Sequence, residues 1–205
     1  MIESQVQAAI DQFEIKTEKL NEIVDFFVSE AAKGLAEDKP RTMPMIPTFV
    51  TKIPTGKEKG LFLAADLGGS NFRVCSVHLN GDSTHTMKQM KWAVPHEMMV
   101  GNADQFWKYL AERTHEFLEK YHLEEKNDHK DKNQKLSMGF TFSFPVHQTG
   151  INRGTLIRWT KGYDIKDAVG TDVCVAYQDA LDAHGIPVHV ASMVNDTVGC
   201  LLTRS

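Results

Sequence analysis

Between Leu136 and Pro145 the sequence alternates without a break. Leu136, Met138, Phe140, Phe142 and Phe144 fall on one side, and Ser137, Gly139, Thr141 and Ser143 on the other. Only an extended chain has the period of two that separates these sets. The stretch therefore predicts a β-strand with one greasy face and one small, hydroxyl-bearing face. Further strands are predicted over 61–65 and 72–79, joined by the turn Asp66-Leu-Gly-Gly-Ser-Asn71, and over 84–94 after the hairpin signal Asn80-Gly81. Two more are expected at 156–159, after a turn over 149–154, and at 186–194. Helical patterns lie between them. Asn102 reads as an N-cap with Gln105 as its capping-box partner, and Phe106, Trp107, Leu110, Phe117 and Leu118 point inward. Thr171 reads as the cap of a helix with the core stripe Val173, Ala176, Tyr177, Ala180 and Leu181, ended by Gly185. Strands interleaved with helices place the chain in the α/β class.

Residues 1–35 carry two apolar stripes at helical spacing. The first is Ile2, Val6, Ala9, Ile10 and Phe13; the second is Leu20, Ile23, Val24, Phe27 and Ala31, with Thr17 as N-cap and Gly34 as C-terminal cap. Mixed charge on the polar faces, with Glu18, Glu22, Asp25 and Glu30 among them, favours a packing helix pair over a membrane or partner anchor. Pro40, Pro44, Pro47 and Pro54 make 36–60 an irregular crossing segment. Residues 119–135 mix charges of both signs and read as a solvated loop, in which His122 and His129 lack the spacing of paired metal ligands.

The 205 residues are 41% hydrophobic, enough for a sizeable core. A formal net charge of -4 with no basic block argues against nucleic acid as a partner. No run approaches the ~18 apolar residues of a membrane span, and no signal pattern opens the sequence. Cys75, Cys174 and Cys200 are isolated thiols, which suits a reducing, cytoplasmic setting better than a disulfide framework.

Two places carry chemistry. In Asp66-Leu-Gly-Gly-Ser-Asn71, two glycines let the backbone N–H groups approach a ligand, and Ser70 and Asn71 add side-chain donors. Such a turn suits phosphate, and Asp66 at the strand end could orient a hydrated Mg²⁺; the same residues also suit an ordinary hairpin turn. Asn195-Asp196-Thr197 lies between the strand 186–194 and a helix start at 198–202. It sets a carboxylate at the crevice where open α/β sheets bind ligands, and is by itself as easily a helix cap.

The resemblance of three longer stretches resolves these alternatives. Leu63-Ala-Ala-Asp-Leu-Gly-Gly-Ser-Asn-Phe-Arg-Val74 resembles the first phosphate motif of eukaryotic hexokinases and glucokinases. Met138-Gly-Phe-Thr-Phe-Ser-Phe-Pro-Val-His-Gln148, continuing through Gly154-Thr-Leu-Ile-Arg-Trp-Thr-Lys-Gly-Tyr163, resembles their sugar-binding signature. Val194-Asn-Asp-Thr-Val-Gly199 resembles the segment with their catalytic aspartate, and residues 48–60 also look like the family, with a fungal glucokinase flavour. Ser70 stands where the family usually has threonine, and Ala65 where leucine is common.

The resemblance implies an actin-like ATPase (ribonuclease-H-like) fold, mostly the smaller lobe of a two-lobe sugar kinase. Residues 1–60 would pack on the larger lobe, 61–195 would form the small lobe, and 196–205 would begin the larger one. It implies ATP-dependent phosphorylation of glucose or a related hexose at the 6-hydroxyl, with Mg²⁺ arriving on ATP. Asp196 would be the general base. Ser143, Phe144, Pro145, Thr160, Lys161 and Asn195 would bind the sugar with it. Asp66, Gly68, Gly69, Ser70, Asn71, Arg73 and Lys91 would face the nucleotide. The second phosphate loop, the adenosine site and the remaining sugar ligands are expected beyond Ser205, so the 205 residues alone are expected to be inactive. The rival expectations are a sugar sensor derived from a kinase and a structural or chaperone ATPase of the actin-like group; the sugar signature disfavours the latter.

Overall fold

The computed structural model describes residues 2–36, 42–122 and 135–203. Contacts divide the chain into two compact units, Met1–Met45 and Ile46–Ser205. The first holds α1 (Ile2–Phe13) and α2 (Thr17–Ala36). Both helical stretches are where their apolar spacing puts them, but the ends of the second differ. Thr17 is the first residue of α2 rather than a residue before it, and Gly34 is no cap, since the helix runs on to Ala36. Gly34 is buried against the Met43 carbonyl so closely that a Cβ has no room. Ile10, Phe13, Ile23, Phe26 and Phe27 are exposed.

In the second unit, residues 46–58 form no regular element before the sheet begins. β1 (Lys59–Leu67), β2 (Asn71–Asn80) and β3 (His85–Ala93) are followed by α3 (His96–Met99) and α4 (Ala103–His122). Then come β4 (Leu136–Phe142), the hairpin of β5 (Val146–Gly150) and β6 (Arg153–Leu156), and a 3-10 turn at Lys166–Ala168. α5 (Val173–Ala183), β7 (Val188–Val194) and α6 (Asp196–Leu202) follow. The sheet order is β3-β2-β1-β4-β7. The first three strands are antiparallel neighbours, while β1, β4 and β7 run parallel.

The alternation in β4 has its expected consequence. Met138, Phe140 and Phe142 are buried, with Leu63, Ala65, Leu67, Phe72 and Val74 from the neighbouring strands. Two helices cover that face. Tyr177 of α5 packs on Phe72, Phe140 and Trp107, and Trp107 of α4 reaches Phe142. Fully burying each such side chain is worth about 1.5–3 kcal/mol. Asn102 caps α4, accepting from the Gln105 N–H at 2.9 Å. Cys174 is buried, and burial pushes its thiol up to about 12, which leaves it an inert space-filler.

Three expectations are corrected. Asp172, not Thr171, caps α5: its Oδ1 accepts from the N–H groups of Cys174 and Val175, while the Thr171 hydroxyl donates to the Ala168 carbonyl. A carboxylate can serve two helix donors at once, and Asp172 is the extended residue directly before the first helical residue, Val173. The strand expected at 156–159 ends at Leu156, and most of the turn expected at 149–154 is hairpin. The charged segment is not all loop: residues 119–122 close α4, and His122 is buried with Nε2 at 3.0 Å from Ser76 Oγ. Its middle, with His129, lies outside the described residues.

In the buried pair of Thr114 and Tyr177, donor and acceptor can be told apart. Thr114 Oγ1 donates to the Leu110 carbonyl (2.9 Å), so the Tyr177 hydroxyl at 2.6 Å must be the donor to Thr114. Tyr177→Phe removes a donor and strands nothing, and should destabilise by about 0.5–1.5 kcal/mol. Thr114→Val leaves a buried hydroxyl unpaired and should cost about 1–3 kcal/mol. Urea denaturation of the two variants checks the order.

Candidate active site

Three strands end side by side. In the parallel ladders Leu67 pairs with Phe142, and Thr141 with Val194. The turn after β1, the strand exit at Ser143 and the junction Asn195-Asp196 therefore leave the sheet from one edge. Ser143 is 6% exposed, and its N–H points to the Leu67 carbonyl at 3.4 Å. The Gly68 N–H donates to the Asn71 carbonyl (3.0 Å), and the Asn71 side chain donates to Ser70 Oγ (2.8 Å), which closes the glycine turn.

One cross-sheet row leads into this edge on the face away from α4 and α5. Lys91 stands opposite Arg73, Arg73 opposite Asp66, Asp66 beside Thr141, and Thr141 beside Val194. Asp66 is half-buried. Burial holds its carboxyl above the ordinary value of 3.8; Arg73 pulls it down, Asp196 pushes it up and Lys161 opposes. Asp66 thus lies within the charge of three other candidates, Arg73, Lys161 and Asp196. Lys91 is the outlier, exposed two strands away, with no hydrogen bond or ion pair to the others among the described residues.

Lys161 crosses the site. Its Nζ is 4.0 Å from Asp196 Oδ2 and 5.5 Å from the centre of the Phe144 ring. Its arm lies along Gly69, where an added Cβ would stand 3.2 Å from Lys161 Cδ. A side chain there would press on the lysine arm and make it give by a few tenths of an ångström. The geometry depends on a left-handed backbone at Lys161, φ 58°, followed by Gly162 at φ 86°. For a residue with a Cβ that conformation is unfavourable by about 1–2 kcal/mol.

Aromatic packing offsets that strain. Trp159 stacks on Tyr163 (centroids 5.3 Å apart, 18° between planes) and meets Phe144 edge-on at 4.9 Å. Its indole N–H donates to the Ile165 carbonyl at 2.7 Å. Each aromatic pair adds about 0.5–1.5 kcal/mol beyond burial. The Asp164 N–H also bonds Met99 of α3 (2.8 Å), and the Ile157 N–H bonds Pro145 (3.0 Å). Thr160, half-buried, closes the turn by accepting from the Tyr163 N–H (3.2 Å). Sequence reading did not single out Trp159 and Tyr163 as holders of this loop. Both sit in the sugar-like stretch, but an aromatic pair alone reads as core.

Asn195 is the N-cap of α6, accepting from the Thr197 N–H at 3.0 Å. Asp196 Oδ1 shares that N–H at 2.8 Å, which leaves Oδ2 turned towards Lys161. Among the described residues no group of three or more His, Cys, Asp or Glu is placed to hold a metal ion. A hydrated Mg²⁺ needs less than such a cage, and Asp66, desolvated at the glycine turn, is a carboxylate that a cation would relieve.

The charge state of Asp66 gives a stability test. Its folded value is raised, so its contribution is complete below about pH 3.8 and is lost as pH rises through the folded value. Asp66→Asn removes that loss. The Tm difference between variant and parent should be more positive at pH 7 than at pH 3.5, read by calorimetry of this chain.

Comparison with known proteins follows the same lines. A hexokinase family profile matches residues 5–205. Glucokinase-1 of Saccharomyces cerevisiae is 46% identical over 210 residues, covering 97% of this chain and 42% of the relative. Glucokinase of Aspergillus niger is 47% identical over 208 residues, covering 95% and 41%. A hexokinase from Schistosoma mansoni complexed with glucose superposes with a TM-score of 0.80 at 35% identity, covering 98% of this chain and 44% of that one. The chain thus spans about two fifths of the length of these relatives. Its mixed sheet with helices is the smaller-lobe architecture of the actin-like sugar kinases. The chain belongs to the hexokinase family.

Proposed function

We propose that this chain carries the sugar-binding and base half of an ATP-dependent hexose kinase, which moves the γ-phosphoryl group of ATP to the 6-hydroxyl of glucose. The observation that carries the reading is the approach of Lys161 Nζ to Asp196 Oδ2 at 4.0 Å, with the lysine arm lying along Gly69 of the glycine turn. A carboxylate, a cation and a glycine turn meet at one end of the sheet.

In this reading Ser143, Thr160, Lys161 and Asn195 bind the sugar hydroxyls, with Phe144 and Pro145 shaping the wall. Asp196 Oδ2 takes the proton of the 6-hydroxyl as its oxygen attacks phosphorus and the bond to ADP breaks. That transfer needs an oxygen–oxygen distance of about 2.6–3.2 Å. The Lys161 ammonium balances negative charge on the transferring group. The turn Gly68-Gly69-Ser70-Asn71 and Arg73 face the phosphates, and Lys91 lies further out towards the nucleotide. Mg²⁺ bound to ATP would neutralise phosphate charge, held through water by Asp66. Residues 1–60 and 196–205 would pack on and lead into a larger lobe whose closure excludes water. A cytoplasmic setting goes with this reading and suits the three free cysteines.

In a chain extended to the relatives' full length, Asp196→Ala should lower kcat for glucose phosphorylation by about 10²–10⁴ while glucose affinity changes only a few-fold. Unchanged kcat would remove the base from Asp196. Glucose binding without phosphorylation by the unsubstituted chain would favour a sugar sensor instead. The 205 residues alone should show no glucose-dependent ATP turnover in a coupled assay.

A further inference from the structure

β7 is an outer strand of the sheet, and its outer edge is covered by other groups. Gln178 Oε1 accepts from the Val190 N–H at 2.8 Å and its Nε2 donates to the Val188 carbonyl at 3.0 Å. Asn152 Nδ2 donates to the Val190 carbonyl at 3.2 Å. Closer to the site, the Met193 N–H donates to the Ile151 carbonyl at 2.7 Å, and Gln148 Nε2 donates to the Met193 carbonyl at 3.1 Å. The Gln148 bond is thus made just before the strand delivers Asn195 and Asp196. Packing there is tight: a Cβ on Gly154 would stand 2.5 Å from both Met193 Cε and Val146 Cγ1.

The hairpin that supplies Gln148, Ile151 and Asn152 has both its ends in the site. It enters from Ser143 and Pro145 and leaves towards Trp159 and Lys161, and its ends are tied by the Ile157–Pro145 bond of 3.0 Å. The separation of Asp196 from the sugar-facing groups therefore depends on how hairpin and strand are held together, in addition to the β4–β7 ladder. Proton transfer tolerates little error, and a displacement near 1 Å can cost on the order of a hundred-fold in rate.

We propose that Gln148 is a positioning residue for Asp196, acting through the Met193 carbonyl and touching no reacting atom. The inference rests on the reading of Asp196 as base. Its test uses Gln148→Met, which keeps the shape without a donor, and Gln148→Glu, which presents an acceptor. Each is made with Asp196 intact and with Asp196→Ala, in a chain extended to the relatives' full length. With Asp196 intact, kcat should fall roughly ten- to a hundred-fold, the glucose KM should stay within a few-fold, and Tm should stay within a few degrees. With Asp196→Ala, the residual rate, followed with radiolabelled ATP, should not fall further, because the group being positioned is gone. Unchanged kcat, an equal loss in both backgrounds, or a raised KM at constant kcat would overturn the inference. Failure of both variants to fold would make the bond a stability element and would also overturn it. Absence of glucose phosphorylation by the unsubstituted chain would instead overturn the reading beneath it.

Discussion

Two parallel ladders, β1 with β4 and β4 with β7, are the constraint on which the rest of this site depends. Parallel strands end on the same edge, so their exits converge without any loop having to reach far. The glycine turn, Ser143 and Asp196 occupy those three exits. Shift either ladder by one residue and every side chain of the moved strand changes face. A slip of β4 would send Thr141 into the core and Phe140 out of it, and a slip of β1 would do the same to Asp66 and Ala65.

The hydrophobic face enforces this register. Phe140 and Phe142 pack against Tyr177, Trp107 and each other, so a slipped β4 would give up several fully buried aromatics. The polar face then follows from the apolar one, and it places Asp66, Arg73 and Thr141 in one row. The loop over residues 157–165 is a second, separate construction. Its left-handed residue, Lys161, is held by Trp159, Tyr163 and Phe144 rather than by the sheet. That arrangement lets the lysine arm lie along Gly69 while its ammonium stands beside Asp196.

Much of this was legible in the residues, for physical reasons that differ by element. β4 was readable because period-two burial writes itself into sequence, and Asn102 because its amide sits three residues before a partner N–H. The convergence of Asp66, Lys161 and Asp196 came from resemblance; no local pattern says that residues so distant meet. The errors have causes too. Thr171 and Asp172 are neighbours with similar capping credentials, and which of them stands just before the first helical residue, Val173, is set by where the chain turns into the helix. His122 looked like part of a charged loop, yet one helical turn more brings it to Ser76 of β2. Gln148 was invisible as a separate element, because its partner is a backbone carbonyl that no sequence pattern names.

The central claim is geometric, and a crystal structure of the extended chain with glucose tests it most directly. The account predicts the 6-hydroxyl oxygen about 2.6–3.2 Å from Asp196 Oδ2, with Lys161 beside it and the other hydroxyls held by Ser143, Thr160 and Asn195. Glucose bound away from this edge, or with its 6-hydroxyl turned from Asp196 towards another group, would contradict it.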